Sequence, residues 1–183
     1  MPIGRGATLT ALILLTTLTG PAIAQEPAPG NMTLTVYRDG YVHVFYALGV
    51  NVTLPTTTVA LLSSNLENLL VTDQNGVPLD FSQIGSVLVI DTLGASQTLI
   101  EYDAPDLTNK TGRLWTLAVE APCNFTIILP ENSTVMDVSE VPIEIRSGDG
   151  HPILILPSGR QEISYLIEIT VPPEEAPTPT PTP

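Results

Sequence analysis

A single cysteine, Cys123, stands in this chain of 183 residues. No disulfide can form within it, although exported domains of this size often carry them. Two readings of the thiol follow: a small buried hydrophobe in a strand, or a reactive or intermolecular thiol crowded by the neighbouring Asn124. Histidine is nearly as scarce. His43 and His151 have no His-x-x-x-His spacing, which argues against a zinc site. No serine stands in a Gly-x-Ser-x-Gly elbow. Positive charge is also short: six Lys and Arg face nineteen Asp and Glu, for a net charge of −13. Such a surface lacks the basic clusters that displace counterions from nucleic acid, and it is repelled by anionic membranes. Charged residues make up 14% of the chain, against the roughly 25% of ordinary soluble domains. Helical periodicity is missing too, apart from a short turn expected near residues 63–68. Beyond the N-terminus no run approaches 18 consecutive apolar residues, so no second membrane span is expected.

What the chain does have is N-glycosylation sequons. Five of its eight asparagines begin one: Asn31, Asn51, Asn109, Asn124 and Asn132, each followed two residues later by threonine. Serine and threonine together are 33 of 183 residues, so eight asparagines would give roughly one or two sequons by chance. The excess points to a sugar-bearing surface, and sugar would supply the solubility that sparse charge does not. The N-terminus agrees. Arg5, an apolar run from Leu9 to Leu18, the Gly20-Pro21 break and the small-x-small Ala22-Ile23-Ala24 read as a signal peptide, with cleavage expected between Ala24 and Gln25. The organisation expected is a leader over 1–24, an extended segment over 25–32, a folded domain over 33–171 and a tail over 172–183. The domain is long enough for a sizeable core.

Between Met32 and Ile169 the patterning is that of strands. Apolar alternation or short apolar runs recur around Leu34–Val36, Tyr41–Tyr46, Val59–Leu62, Leu69–Val71, Val87–Ile90, Thr98–Tyr102, Leu114–Val119, Phe125–Leu129, Ile143–Ile145, Ile153–Leu156 and Ser164–Ile169. Turn signals separate them, among them Arg38-Asp39-Gly40 and Asp73-Gln74-Asn75-Gly76, where Asn75 and Gly76 are expected to supply positive φ angles. The fold expected is all-β, an antiparallel β-sandwich of about ten to twelve strands. The last twelve residues, Pro172 to Pro183, alternate proline with threonine after two glutamates. They cannot pair in a sheet and should extend as polyproline II, roughly 37 Å at 3.1 Å per residue, a disordered stalk or spacer.

Asp73-Gln74-Asn75-Gly76-Val77-Pro78-Leu79, the stretch from Tyr102 to Leu117 and Ile127-Ile128-Leu129-Pro130 resemble segments of archaeal exported β-sandwich domains. These occur as ectodomains of surface or membrane-anchored proteins. The resemblance covers about residues 33–170 and implies an extracytoplasmic domain with structural rather than catalytic motifs. It assigns no functional residue.

Candidate chemistry is sparse. Glu101, Asp103 and Asp106 form the densest acid cluster, read as a solvated strand end beside Lys110 and Arg113, with calcium through oxygen ligands as the functional alternative. His43 reads as a sheet residue. Trp115 reads as core, with a carbohydrate platform as the alternative. No cofactor, no catalysis and no nucleic-acid partner are expected. After removal of the leader no direct membrane insertion is expected either. The function expected is an extracellular or cell-surface domain with a structural or interaction role toward protein or envelope partners, or itself. The alternatives are a filament or lattice subunit that donates residues 25–34 as a strand to its neighbour, and a carbohydrate- or ligand-binding module.

Overall fold

The computed structural model describes residues 28–168. The expected leader, its cleavage point and the Pro/Thr tail lie outside the described residues. Those residues form fourteen strands and no helix. The largest sheet runs in the order β12 (Glu144–Gly148), β13 (His151–Leu156), β10 (Phe125–Ile128), β1 (Ala28–Val36), β2 (Val42–Gly49), β7 (Gln97–Ala104) and β4 (Glu67–Asp73). A second sheet runs β11 (Ser133–Val138), β14 (Gly159–Ile167), β9 (Leu114–Ala121) and β8 (Thr108–Thr111). A third, small sheet holds β3 (Thr56–Ala60), β6 (Val87–Asp91) and β5 (Phe81–Ile84). One hydrophobic cluster draws on all three sheets, with Leu34, Val44, Ile100 and Ile127 from the first, Leu117 and Ile163 from the second and Leu88 and Ile90 from the third. The architecture is therefore all-β and sandwich-like, with more strands than the patterning suggested.

Alternation decides which side chains face that core. In β7, Thr98, Ile100, Tyr102 and Ala104 are buried while the residues between them are partly or fully exposed. In β2, Val42, Val44 and Tyr46 do the same. Period-two burial of this kind fixes register, because a one-residue slip would turn every core side chain outward. The sheet is not purely antiparallel, as expected from sequence: β1 pairs with β10 in parallel, Met32 opposite Phe125 and Leu34 opposite Ile127.

Residues 28–32, expected to precede the domain, belong to β1. Proline and glycine hide this strand from sequence patterning, and the register of β1 against β2 shifts between Ala28 and Asn31. Gly30 is essential there, since an added Cβ would overlap the carbonyl oxygen of Ala47. This placement bears on the strand-donor idea for residues 25–34. Much of that segment lies inside its own sheet, and β1 is tied to β2 by the short turn Tyr37–Tyr41, closed by Tyr37 N to Tyr41 O at 2.8 Å. The short helical turn expected near 63–68 is absent, and β4 begins at Glu67. In the 73–76 turn only Gly76 has positive φ (77°). Asp73 Oδ1 instead orders the turn by accepting from Asn75 N and Val77 N at 2.8 and 2.9 Å.

Candidate functional site

The hairpin turn that carries Arg38 rests on Trp115. Gly40 has φ +95° and lies so close to the indole that a Cβ there would meet the ring at 2.5 Å. Thr108 Oγ1 donates to the Gly40 carbonyl at 2.6 Å, fastening the turn to β8. Pairing then sets a row across the second sheet: Lys110 on β8, Trp115 on β9 and Tyr165 on β14. Directly opposed residues share a face. Trp115 and Tyr165 stack, with ring centroids 6.5 Å apart and planes 8° from parallel. The Lys110 ammonium sits 4.7 Å from the Trp115 ring centroid, a cation–π contact.

Around this row opens a cleft of about 340 Å³, lined by Arg38, Lys110, Gly112, Arg113, Trp115, Ile167 and Glu168. It gathers three of the chain's six Lys and Arg side chains. None of the three forms an ion pair among the described residues, in a chain where acids outnumber bases three to one. Chemically the cleft offers donors for a carboxylate, an aromatic edge for an apolar or sugar ring, and one acceptor in Glu168. Trp115 is thus half-buried at the rim, neither plain core nor a bare platform.

The acid cluster is not assembled as a cation site. Glu101 and Asp103 stand on the outer side of β7, where Asp103 Oδ1 accepts from His43 Nδ1 at 2.8 Å and Asp103 Oδ2 from Asn68 Nδ2 at 2.7 Å. The Asn68 bond is the main cause holding the Asp103 carboxyl below its ordinary value, and the His43 contact adds to it. Asp106 lies apart, accepting from Ser63 Oγ at 3.0 Å in another opening of about 740 Å³ that also contains Glu120. Among the described residues no group of three His, Cys, Asp or Glu could hold a metal ion. His43 is bound to a carboxylate in the manner of an oriented base, but no hydroxyl or thiol is bonded to its other nitrogen among the described residues. His151 begins β13 and bonds the Leu129 carbonyl through Nδ1 at 2.9 Å. Cys123 is buried, in the loop between β9 and β10 rather than in a strand, and burial pushes its thiol pKa up. A thiol in that state is a poor nucleophile.

All five sequon asparagines are exposed. Asn31 lies on β1, Asn109 on β8, Asn124 immediately before β10, and Asn51 and Asn132 in loops, Asn132 with φ +60°. Where their side chains are engaged, the oxygen is used. Asn51 Oδ1 accepts from Thr53 N and Thr53 Oγ1 at 3.0 and 2.8 Å, and Asn124 Oδ1 accepts from Ser158 N at 3.1 Å. Among the described residues no sequon amide nitrogen donates a hydrogen bond. Two of the three other asparagines do donate: Asn68 to Asp103 and Asn75 to Asp73.

No family model matches the chain, and no curated protein matches it. Solved structures do. A mutant M1 zinc metallopeptidase from Deinococcus radiodurans, bound to a Tyr-Ser-Ala substrate, is similar over 76% of this chain and 42% of that one, at 16% identity and a TM-score of 0.50. The M1 zinc metallopeptidase from the same organism is similar over 76% and 41%, at 15% identity and a TM-score of 0.48. A putative protease from Parabacteroides distasonis follows over 77% and 40%, at 11% identity and a TM-score of 0.36. The chain spans less than half the length of these proteins. At 16% identity and a TM-score of 0.50 the first of these is a likeness of fold alone. The metallopeptidase motif His-Glu-x-x-His does not occur in this sequence.

Proposed function

We propose that this chain is an extracytoplasmic, N-glycosylated β-sandwich domain whose role is structural or adhesive rather than catalytic, of the archaeal exported ectodomain type that its middle segments resemble. The observation that carries this reading is the state of the sequon side chains. All five are exposed, and each amide nitrogen, the atom that takes sugar, is unengaged among the described residues. Two of the three asparagines outside sequons, Asn68 and Asn75, spend that nitrogen on strand and turn contacts. Produced in a host with N-glycosylation machinery, the protein should carry sugar on at least three of the five sites. Removal of each occupied site by Asn→Gln should lower the intact mass by one glycan. Bare polypeptide mass from such a host sinks the proposal.

A second reading is favoured by the cleft around Trp115. Three cations without ion-pair partners beside an indole suit an acidic saccharide: the carboxylate would meet Arg38, Lys110 and Arg113, and the ring would lie against the aromatic edge. Titration with oligosaccharides containing uronic acid should quench Trp115, the chain's one tryptophan, and release heat, and both signals should be lost in Arg113→Ala. No heat and no fluorescence change across neutral and acidic oligosaccharides would remove this reading and leave the first untouched.

A further inference from the structure

The terminal strand β12 presents a surface that fits a second copy of itself. As the last strand of the seven-stranded sheet it has no ladder partner on one side among the described residues. Its side chains divide cleanly. Ile145 lies opposite Leu154, which is fully buried, so Ile145 points to the core side of the sheet, yet it is 66% exposed. Ile143, two residues before it, is 58% exposed, and Val141 is 86% exposed. On the other face Glu144 and Arg146 stand two residues apart, 4.0 Å from each other. Edge strands are commonly blunted by charge, because a like charge meets its own copy when two edges pair. Here the charges alternate in sign about Ile145, and the pattern is self-complementary instead.

We propose that two copies of this chain associate edge to edge through antiparallel pairing of β12 about a two-fold axis at Ile145. That register sets Glu144 of each copy opposite Arg146 of the other, on one face. On the opposite face it sets Ile145 against Ile145. A two-fold axis makes the contact closed, so assembly stops at a dimer in which the two large sheets become one continuous sheet. None of the five sequons lies on β12. Asn132 lies near the turn at the end of the β12–β13 hairpin, its N–H donating to Gly150 O at 3.3 Å. The inference is independent of sugar attachment, and its test uses protein made without sugar.

Sedimentation equilibrium on residues 25–183 should show a monomer–dimer equilibrium with no larger species. Glu144→Arg alone or Arg146→Glu alone sets like charges against each other and should weaken the dimer by roughly tenfold or more. The doubly exchanged Glu144→Arg/Arg146→Glu chain should recover it, as should an equimolar mixture of the two single variants. Ile145→Lys should abolish it. All three side chains are exposed, so circular dichroism should show each variant folded. A monomer at every concentration, open-ended growth beyond a dimer, or charge variants that fail to rescue each other would each overturn the proposal.

Discussion

Tyr102 and Tyr165 are both buried in the core, and their hydroxyls meet opposite fates. The Tyr102 oxygen accepts from Leu62 N at 3.1 Å. The Tyr165 hydroxyl is buried with no partner among the described residues. Burial raises both pKa values to about 12, and the Leu62 N–H pulls that of Tyr102 slightly back. An unsatisfied buried hydroxyl costs about 1–3 kcal/mol, whereas removing one member of a bonded pair strands the other. Tyr165→Phe should therefore raise the denaturant midpoint. Tyr102→Phe should lower it, by about 1 kcal/mol of stability, because the Leu62 N–H loses its acceptor. If both changes move the midpoint the same way, this assignment of partners is wrong. The raised values also set the alkaline limit. Folding holds both phenols neutral, so their contribution is fully present below the ordinary tyrosine value of about 10. It is lost as pH rises through about 12.

At the scale of elements, visibility in the sequence follows burial. The eleven strands legible from patterning include every strand of the large sheet, although β1 shows only its last residues and β12 only its first. Strands β5, β8 and β11 were not legible, and all three lie at sheet edges. Thr108-Asn109-Lys110-Thr111 has no apolar residue at all, and the four residues of β5 are all exposed. An edge strand with one face in water has little reason to alternate. In β11 the pairing register shifts between Val135 and Asp137, which breaks the period. The cleft around Trp115 was invisible for another reason. Arg38 and Lys110 are seventy-two positions apart, and only the turn's seat on the indole brings them together. The acid cluster failed in the opposite sense: nearness in sequence put Asp103 and Asp106 in different surroundings.

The outer face of the large sheet carries its own clamp, joining β2, β7 and β4 through His43, Asp103 and Asn68. Since folding lowers the Asp103 pKa, its contribution is present above the ordinary aspartate value of about 3.9. It is lost as pH falls through the lower folded value. Asp103→Asn should therefore lower stability at neutral and alkaline pH, leave it nearly unchanged below the folded value, and so flatten the acid limb of the stability–pH curve. An equal loss at every pH, the acid extreme included, would mean that the residue acts through packing alone.

On the scale of the whole molecule, charge and sequons divide the surface. With a net charge of −13 and a pI near 4.2, most of the exterior repels polyanions, and the cations that remain gather where a small acidic ligand could be met. The sequons are spread over β1, β8 and three connecting segments; none is on β12, though Asn132 lies near the turn at its end. The proposed interaction role draws on the exposed sequons, the open β12 edge and this basic cleft. The account rests most heavily on sugar attachment. Intact-mass analysis of protein recovered from a glycosylating host addresses it directly: the polypeptide from Gln25 onward bearing at least three glycans is the predicted result. A chain of bare polypeptide mass that still begins at Met1 would contradict it.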